Sequence, residues 1–123
     1  MPDFKDIKAW QKADDLVVEV YNKTQSFPPD ERYGLTSQIR RAAISVCANI
    51  AEGSGRGSLA DYIRFLFIAS GSQSELEYLL HIAHRLGYLS VDFYQHLSLH
   101  QSEAARLLRG FLRAKQRQQE SCS

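Results

Sequence analysis

The residues of this chain with the most chemical reach are arginines. Arg106, Arg109, Arg113 and Arg117 follow one another at steps of three, four and four. On a helix they stack along one face over about three turns. Such a stripe attracts phosphates, and a cyclic oligomer would multiply it into a ring of positive charge. A solvated helix face has the same pattern. A second polar line runs through Gln38, Arg41, Ser45, Ala48/Asn49 and Glu52, with Arg40 beside it. Arg40 and Arg41 abut an apolar stripe, so at least one should be partly buried and need an acceptor. Glu52 and Glu75 are the candidates. The line reads either as an Arg–carboxylate network within or between bundles, or as an anion-facing surface.

Other constellations are thinner. Gly53-Ser54-Gly55-Arg56-Gly57 leads into a helix start, as phosphate loops do, but it follows a helix and lacks the Gly-Lys-Ser/Thr ending. A stop-and-restart turn explains the same glycines, while Arg56 can still hold a phosphate or a carboxylate. His81 and His84 lie three apart, and His96 and His100 four apart. Either pair can share a metal on one helix face. Neither has a Cys or acidic cluster at fixed spacing, so we assign no metal and no cofactor. Cys47 falls mid-helix and Cys122 near the end, with no CxxC pairing. No Ser-His-Asp or paired-carboxylate spacing is readable, and the expectation is a protein that is not an enzyme.

The elements that must carry these residues are helices. Breakers cluster at Pro28-Pro29, at Gly53–Gly57 and at Gly87-Tyr88-Leu89-Ser90, and between them apolar residues recur at helical steps. Four helices are expected, over about residues 7–25, 34–52, 59–86 and 91–113. Asp6 is positioned to cap the first, Ser58 the third and Ser90 the fourth. The third is expected to be the longest. The fourth should fray after Arg113 into a polar tail, residues 115–123. Residues 1–114 then form one all-α, antiparallel up-down four-helix bundle.

At 123 residues the chain is a single domain. Its longest apolar stretches, such as Phe65–Ala69, fall far short of the roughly 18–20 residues that span a membrane. No signal-peptide pattern opens the chain, which points to a cytoplasmic protein. The formal net charge of +1 argues against a uniformly basic nucleic-acid coat. Yet the charge is graded. Residues 1–31 carry four lysines against seven acids, net −3; residues 32–105 balance six arginines with six acids; residues 106–123 carry five Lys/Arg against Glu120, net +4.

Apolar residues exceed what one bundle seam needs. Ile63, Phe67 and Ile68 lie outside the main stripe of the third helix, and Ile44 and Cys47 outside that of the second. A helix that is apolar on two sides is buried on two sides, so a homo-oligomer is expected. Ala69-Ser70-Gly71-Ser72 reads as a place of close helix packing, centred on Gly71 and Ser72.

Several runs are distinctive: Asp3-Phe4-Lys5-Asp6, Trp10-Gln11-Lys12-Ala13, the stretch from Glu31 through Arg32-Tyr33-Gly34-Leu35 to Ala43, Asn49-Ile50-Ala51-Glu52-Gly53-Ser54-Gly55-Arg56, and Tyr62-Ile63-Arg64-Phe65-Leu66. Gly71-Ser72, Glu75-Leu76-Glu77 and Leu86-Gly87-Tyr88-Leu89 continue the pattern. Together they resemble the four-helix-bundle family encoded by intervening sequences of bacterial 23S ribosomal RNA genes, the S23 ribosomal protein-like family, over about residues 3–112. The resemblance implies antiparallel bundles assembled into homopentameric rings. A related branch, the accessory variability determinant of diversity-generating retroelements, implies a basic pentamer that binds nucleic acid and a partner reverse transcriptase. This chain departs from that branch in being near neutral. Arg32, Arg40, Arg41 and Arg56 fall in the shared motifs, whereas the last-helix arginines are this chain's own feature.

Two functions follow as expectations. The first is a non-enzymatic oligomeric bundle binding RNA or DNA as an accessory factor, with Arg56, Arg106, Arg109, Arg113 and Arg117 on phosphates. The second is a protein-interaction scaffold with no nucleic-acid role.

Overall fold

The computed structural model describes residues 3–122. They form four α-helices and no strand: α1 (Lys8–Thr24), α2 (Leu35–Ser54), α3 (Leu59–Arg85) and α4 (Val91–Cys122). Single 3-10 turns at Phe4–Asp6 and Pro29–Glu31 precede α1 and α2. Each helix packs on its sequence neighbours, and α4 returns to pack on α1.

The ends follow local chemistry. Asp3, not Asp6, does the capping at the start, accepting from the Lys5 N–H at 3.0 Å within the first turn. Ile7 then occupies the N-cap of α1 without a side-chain bond. Glu31 takes the capping role for α2, its Oε1 accepting from the Leu35 N–H at 3.1 Å. Ser58 accepts from the Asp61 N–H at 3.1 Å and starts α3, as its position implies. Gly87, at φ +81°, closes α3. Its own N–H bonds the His84 carbonyl and the Tyr88 N–H bonds the Ala83 carbonyl, both at 2.9 Å. That left-handed residue is where glycine is required.

One boundary differs clearly from the sequence expectation. The helix expected to fray after Arg113 continues to Cys122, so α4, with 32 residues, is longer than α3, with 27. The segment Ala-Lys-Gln-Arg-Gln-Gln-Glu contains only strong helix formers and no breaker. Lys115 also anchors it. Its ammonium lies 5.2 Å from the centre of the Tyr62 ring and 5.3 Å from that of Phe111.

The core has two apolar clusters. One gathers Leu16, Val20, Phe27, Leu35, Ile39, Leu76, Leu80 and Leu97, the other Ala13, Val46, Ile50, Ile63, Leu66, Leu108 and Leu112. Ile63, read as surplus surface, belongs to this core. Between the clusters in chain order lies a polar pair. Gln101 Nε2 donates to the backbone carbonyl and to the side-chain Oε1 of Gln73, both at 3.0 Å, and both residues are buried. Close helix contact occurs at Gly53, not at Gly71. A Cβ at Gly53 would stand 2.9 Å from Phe65 Cβ and 3.0 Å from Tyr62 Cδ1, whereas one at Gly71 meets nothing within 4 Å. Ser72 does sit at a crossing, its hydroxyl 2.8 Å from that of Ser45.

Candidate nucleic-acid interface

The arginine stripe meets the start of α1. Arg106, Arg109 and Arg113 line a groove of about 750 Å³ with Lys8, Asp6, Ile7, Ala9, Leu107, Gly110 and Phe111. Its lining sets four cations and one carboxylate, Asp6, among apolar residues. A second groove, about 330 Å³, shares Ile7 and Phe111 with the first and adds Arg56, Tyr62, Lys115 and Gln118. This end of the molecule combines six Lys/Arg side chains with two aromatic rings, which is what phosphate contact plus base stacking requires. Phe111 and Tyr62 stand edge to face, ring centres 5.9 Å apart.

The cations differ in how free they are. Among the described residues, the guanidinium groups of Arg106, Arg109, Arg113 and Arg117 take part in no ion pair or hydrogen bond, and all four residues are exposed. Arg117 lies one turn past Arg113 on the same stripe. Arg56, by contrast, holds Glu52 at 2.7 Å and lies 4.8 Å from the centre of the Phe65 ring. Arg64 approaches that ring to 4.5 Å and bonds Asp61 at 3.3 Å. Arg56 is thus a partly committed cation, and a ligand phosphate there must compete with Glu52.

Arg40, Arg41, Glu52 and Glu75 do not form one network. Arg40 is half-buried, as expected of one of the two arginines, but its acceptors are Thr24 Oγ1 at 2.9 Å and the Tyr21 carbonyl at 3.4 Å. Its guanidinium also covers the Tyr21 ring at 4.4 Å. Glu52 is taken by Arg56. Arg41 and Glu75 share the lining of an outer α2–α3 groove of about 570 Å³ with Gln38, Ala42, Ile44 and Ser45. The acceptors of Arg40 come from α1, and no spacing within α2 points to them.

The chain belongs to the 23S rRNA-intervening sequence protein family. That family's profile matches residues 5–110, most of the chain. The match takes in the Arg106–Arg109 part of the stripe and ends before Arg113 and Arg117. Among solved structures, the chain is similar to a protein of unknown function from the S23 ribosomal protein family of Bacteroides thetaiotaomicron. The two share 27% identity at a TM-score of 0.77, covering 85% of this chain and 97% of the other. A comparison with curated proteins returns no match. Among the described residues of this family member, no helix is long and apolar enough to cross a membrane.

One cluster joins residues that no sequence spacing connects. Glu19 on α1 reaches both members of the His96/His100 pair on α4. Its Oε1 lies 2.6 Å from His96 Nε2 and its Oε2 2.8 Å from His100 Nδ1. The four-residue step of the histidines was visible, but the carboxylate is supplied from 77 residues away.

Proposed function

We propose that this protein is a non-enzymatic, antiparallel up-down bundle that assembles into a homopentameric ring and binds RNA or DNA in the cytoplasm as an accessory factor. The observation that carries the reading is the groove between α1 and α4. There, among the described residues, Arg106, Arg109 and Arg113 have no ion-pair partner and stand beside Lys8 and the Phe111 ring. Arginines without carboxylate partners next to an aromatic surface are suited to phosphate contact and base stacking. The near-neutral total limits this to a local patch rather than a general coat.

The register of contacts supports the up-down arrangement. As residue numbers rise along one helix they fall along its neighbour: Glu19 faces His96 and His100, whereas Lys12 faces Glu103. Unpartnered apolar surface supports self-assembly. Ile44, Phe67, Ile68 and Tyr78 are exposed on α2 and α3. Side chains of that size on a 14.0 kDa subunit are well placed to be covered by another copy.

Two measurements test the reading. Light scattering coupled to size exclusion should return about five times 14.0 kDa, and a monomer at micromolar concentration overturns the ring. Affinity for structured RNA and for DNA should fall steeply with salt. Replacing Arg109 and Arg113 by Glu should weaken it and lower the slope of log K on log salt by about 1.5–2, the share of two phosphate contacts. No binding at low salt overturns the nucleic-acid role. A protein partner that stays bound after nuclease treatment would instead identify a scaffold.

A further inference from the structure

We propose that Glu19, His96 and His100 form a binding site for a divalent transition-metal ion of the zinc class, clamping α1 to α4. Among the described residues, the three side chains offer two imidazole nitrogens and one carboxylate oxygen, all within 4.8 Å of one another. Two nitrogens and an oxygen, with water in a fourth position, make a tetrahedral zinc set. His96 and His100 are four apart on α4, so both imidazoles project from one helix face. Their ring centres lie 4.3 Å apart. Each aims a nitrogen at a different oxygen of the same carboxylate.

Electrostatics points the same way. Glu19 is half-buried, and its Oε2 is closed off from solvent. No Lys or Arg lies within ion-pair distance of it among the described residues. Lys23, one turn further along α1, has its ammonium 3.8 Å from the centre of the Phe93 ring. Lys12 is turned to Glu103 at 3.8 Å. A shielded carboxylate needs a compensating positive charge, and what faces it is a pair of imidazoles, the ligands that divalent zinc, copper and nickel prefer.

The space fits with little movement. Ligand atoms around a tetrahedral zinc stand about 3.3 Å apart, given metal–ligand distances of about 2.0 Å. The present N···O separations are 2.6 and 2.8 Å. The three ligand atoms already lie within 4.8 Å of one another, so modest side-chain rotations bring them to that spacing, and both imidazoles are free to make them, at 46% and 41% exposure. Magnesium and calcium do not fit, because they take oxygen-only shells. The metal order should follow donor type, with copper tightest, then nickel and zinc, and no binding of magnesium.

The test uses the full chain carrying Cys122→Ser throughout, so that the exposed thiol supplies no ligand. Zn2+ is titrated against a chromophoric chelator, and Co2+ is followed by its visible absorption. One ion per chain is expected, with strong tetrahedral Co2+ bands and a melting temperature raised by Zn2+. His96→Gln, His100→Gln and Glu19→Gln should each weaken Zn2+ by roughly tenfold or more. Each should also remove the Zn2+-dependent rise in melting temperature. His81→Gln, on exposed α3 surface, should leave both unchanged. Zn2+ binding that is insensitive to the His96 and His100 substitutions, or lost equally in His81→Gln, overturns the proposal. Circular dichroism of each metal-free variant separates loss of the site from loss of the fold.

Discussion

Tyr88 donates its phenolic O–H to Glu31 Oε2 at 2.9 Å, joining the turn after α3 to the start of α2. The other oxygen of that carboxylate caps the Leu35 N–H. Phe27 packs its ring 5.4 Å from that of Tyr88. A single carboxylate therefore serves a helix cap and a tertiary contact across 57 residues. The hydrogen bond to Glu31, with burial and the charges of Glu31 and Asp30, raises the Tyr88 pKa above its ordinary 10. A phenol that ionises later in the folded chain than in the unfolded one stabilises the fold fully below the unfolded value. That contribution is lost as pH rises through the folded one. Tyr88→Phe should lower the melting temperature by a constant amount from pH 7 to 9, and the gap should close above pH 10. A gap that is independent of pH throughout would refute this linkage.

The two glycines of α2 and α3 should respond to alanine with opposite signs. At Gly71 a Cβ enters open space, so Gly71→Ala should gain about 1 kcal/mol from helix propensity alone. At Gly53 it meets Phe65 Cβ at 2.9 Å and the Tyr62 carbonyl at 3.3 Å, atoms that cannot swing aside. Overpacking of that kind costs about 1–3 kcal/mol and outweighs the same propensity gain. Urea denaturation of both variants checks the pair. A loss of stability at Gly71→Ala would mean that another chain lies on that face.

The buried Gln73–Gln101 pair makes a prediction about single against double replacement. Gln101→Leu leaves Gln73 with an unbonded Oε1 in addition to its Nε2, which already lacks a partner among the described residues. That should cost about 1–3 kcal/mol. Replacing both by Leu removes every stranded side-chain group and should recover most of the loss. Beside the pair is a small cavity of about 60 Å³, lined by Ser70, Ser74, Glu77 and Arg109 among others. It is large enough for a water molecule bonded to the free Nε2.

How much of this was readable in the residues depends on range. The four helices were legible because their breakers are local: Pro28-Pro29, the 53–57 glycines and Gly87 each act within a turn. The basic stripe was legible because its spacing is internal to α4. What escaped is whatever a second helix supplies. Arg40 looked like half of an ion pair with Glu52 or Glu75, but Thr24 and the Tyr21 carbonyl on α1 satisfy it. The end of α4 is hard to place from the residues because a polar segment looks like a frayed tail. Its residues are strong helix formers, and Lys115 is held by rings on both α3 and α4. Gly71 looked like the crossing point because a helix-interior glycine calls for a reason. The tight approach is at Gly53, which on sequence grounds served as a helix stop.

Cys47 and Cys122 should differ sharply in reactivity. Cys47 is half-buried on α2 near Asp14, and burial first, then that charge, pushes its thiol up to about 12. At pH 8 a thiol of that pKa is ionised to roughly one part in 10⁴, against roughly a quarter for a free cysteine. Since the thiolate is the reactive form, alkylation of Cys47 should run on the order of 10³-fold slower than that of an ordinary thiol. Cys122 is exposed near the end of α4. Iodoacetamide at pH 8 should therefore modify one site per native chain rapidly, and Cys122→Ser should abolish that fast phase. Both cysteines should react in urea. Fast labelling of Cys47 in the native Cys122→Ser chain would mean that α2 opens to solvent at that turn faster than the α1–α2 packing implies.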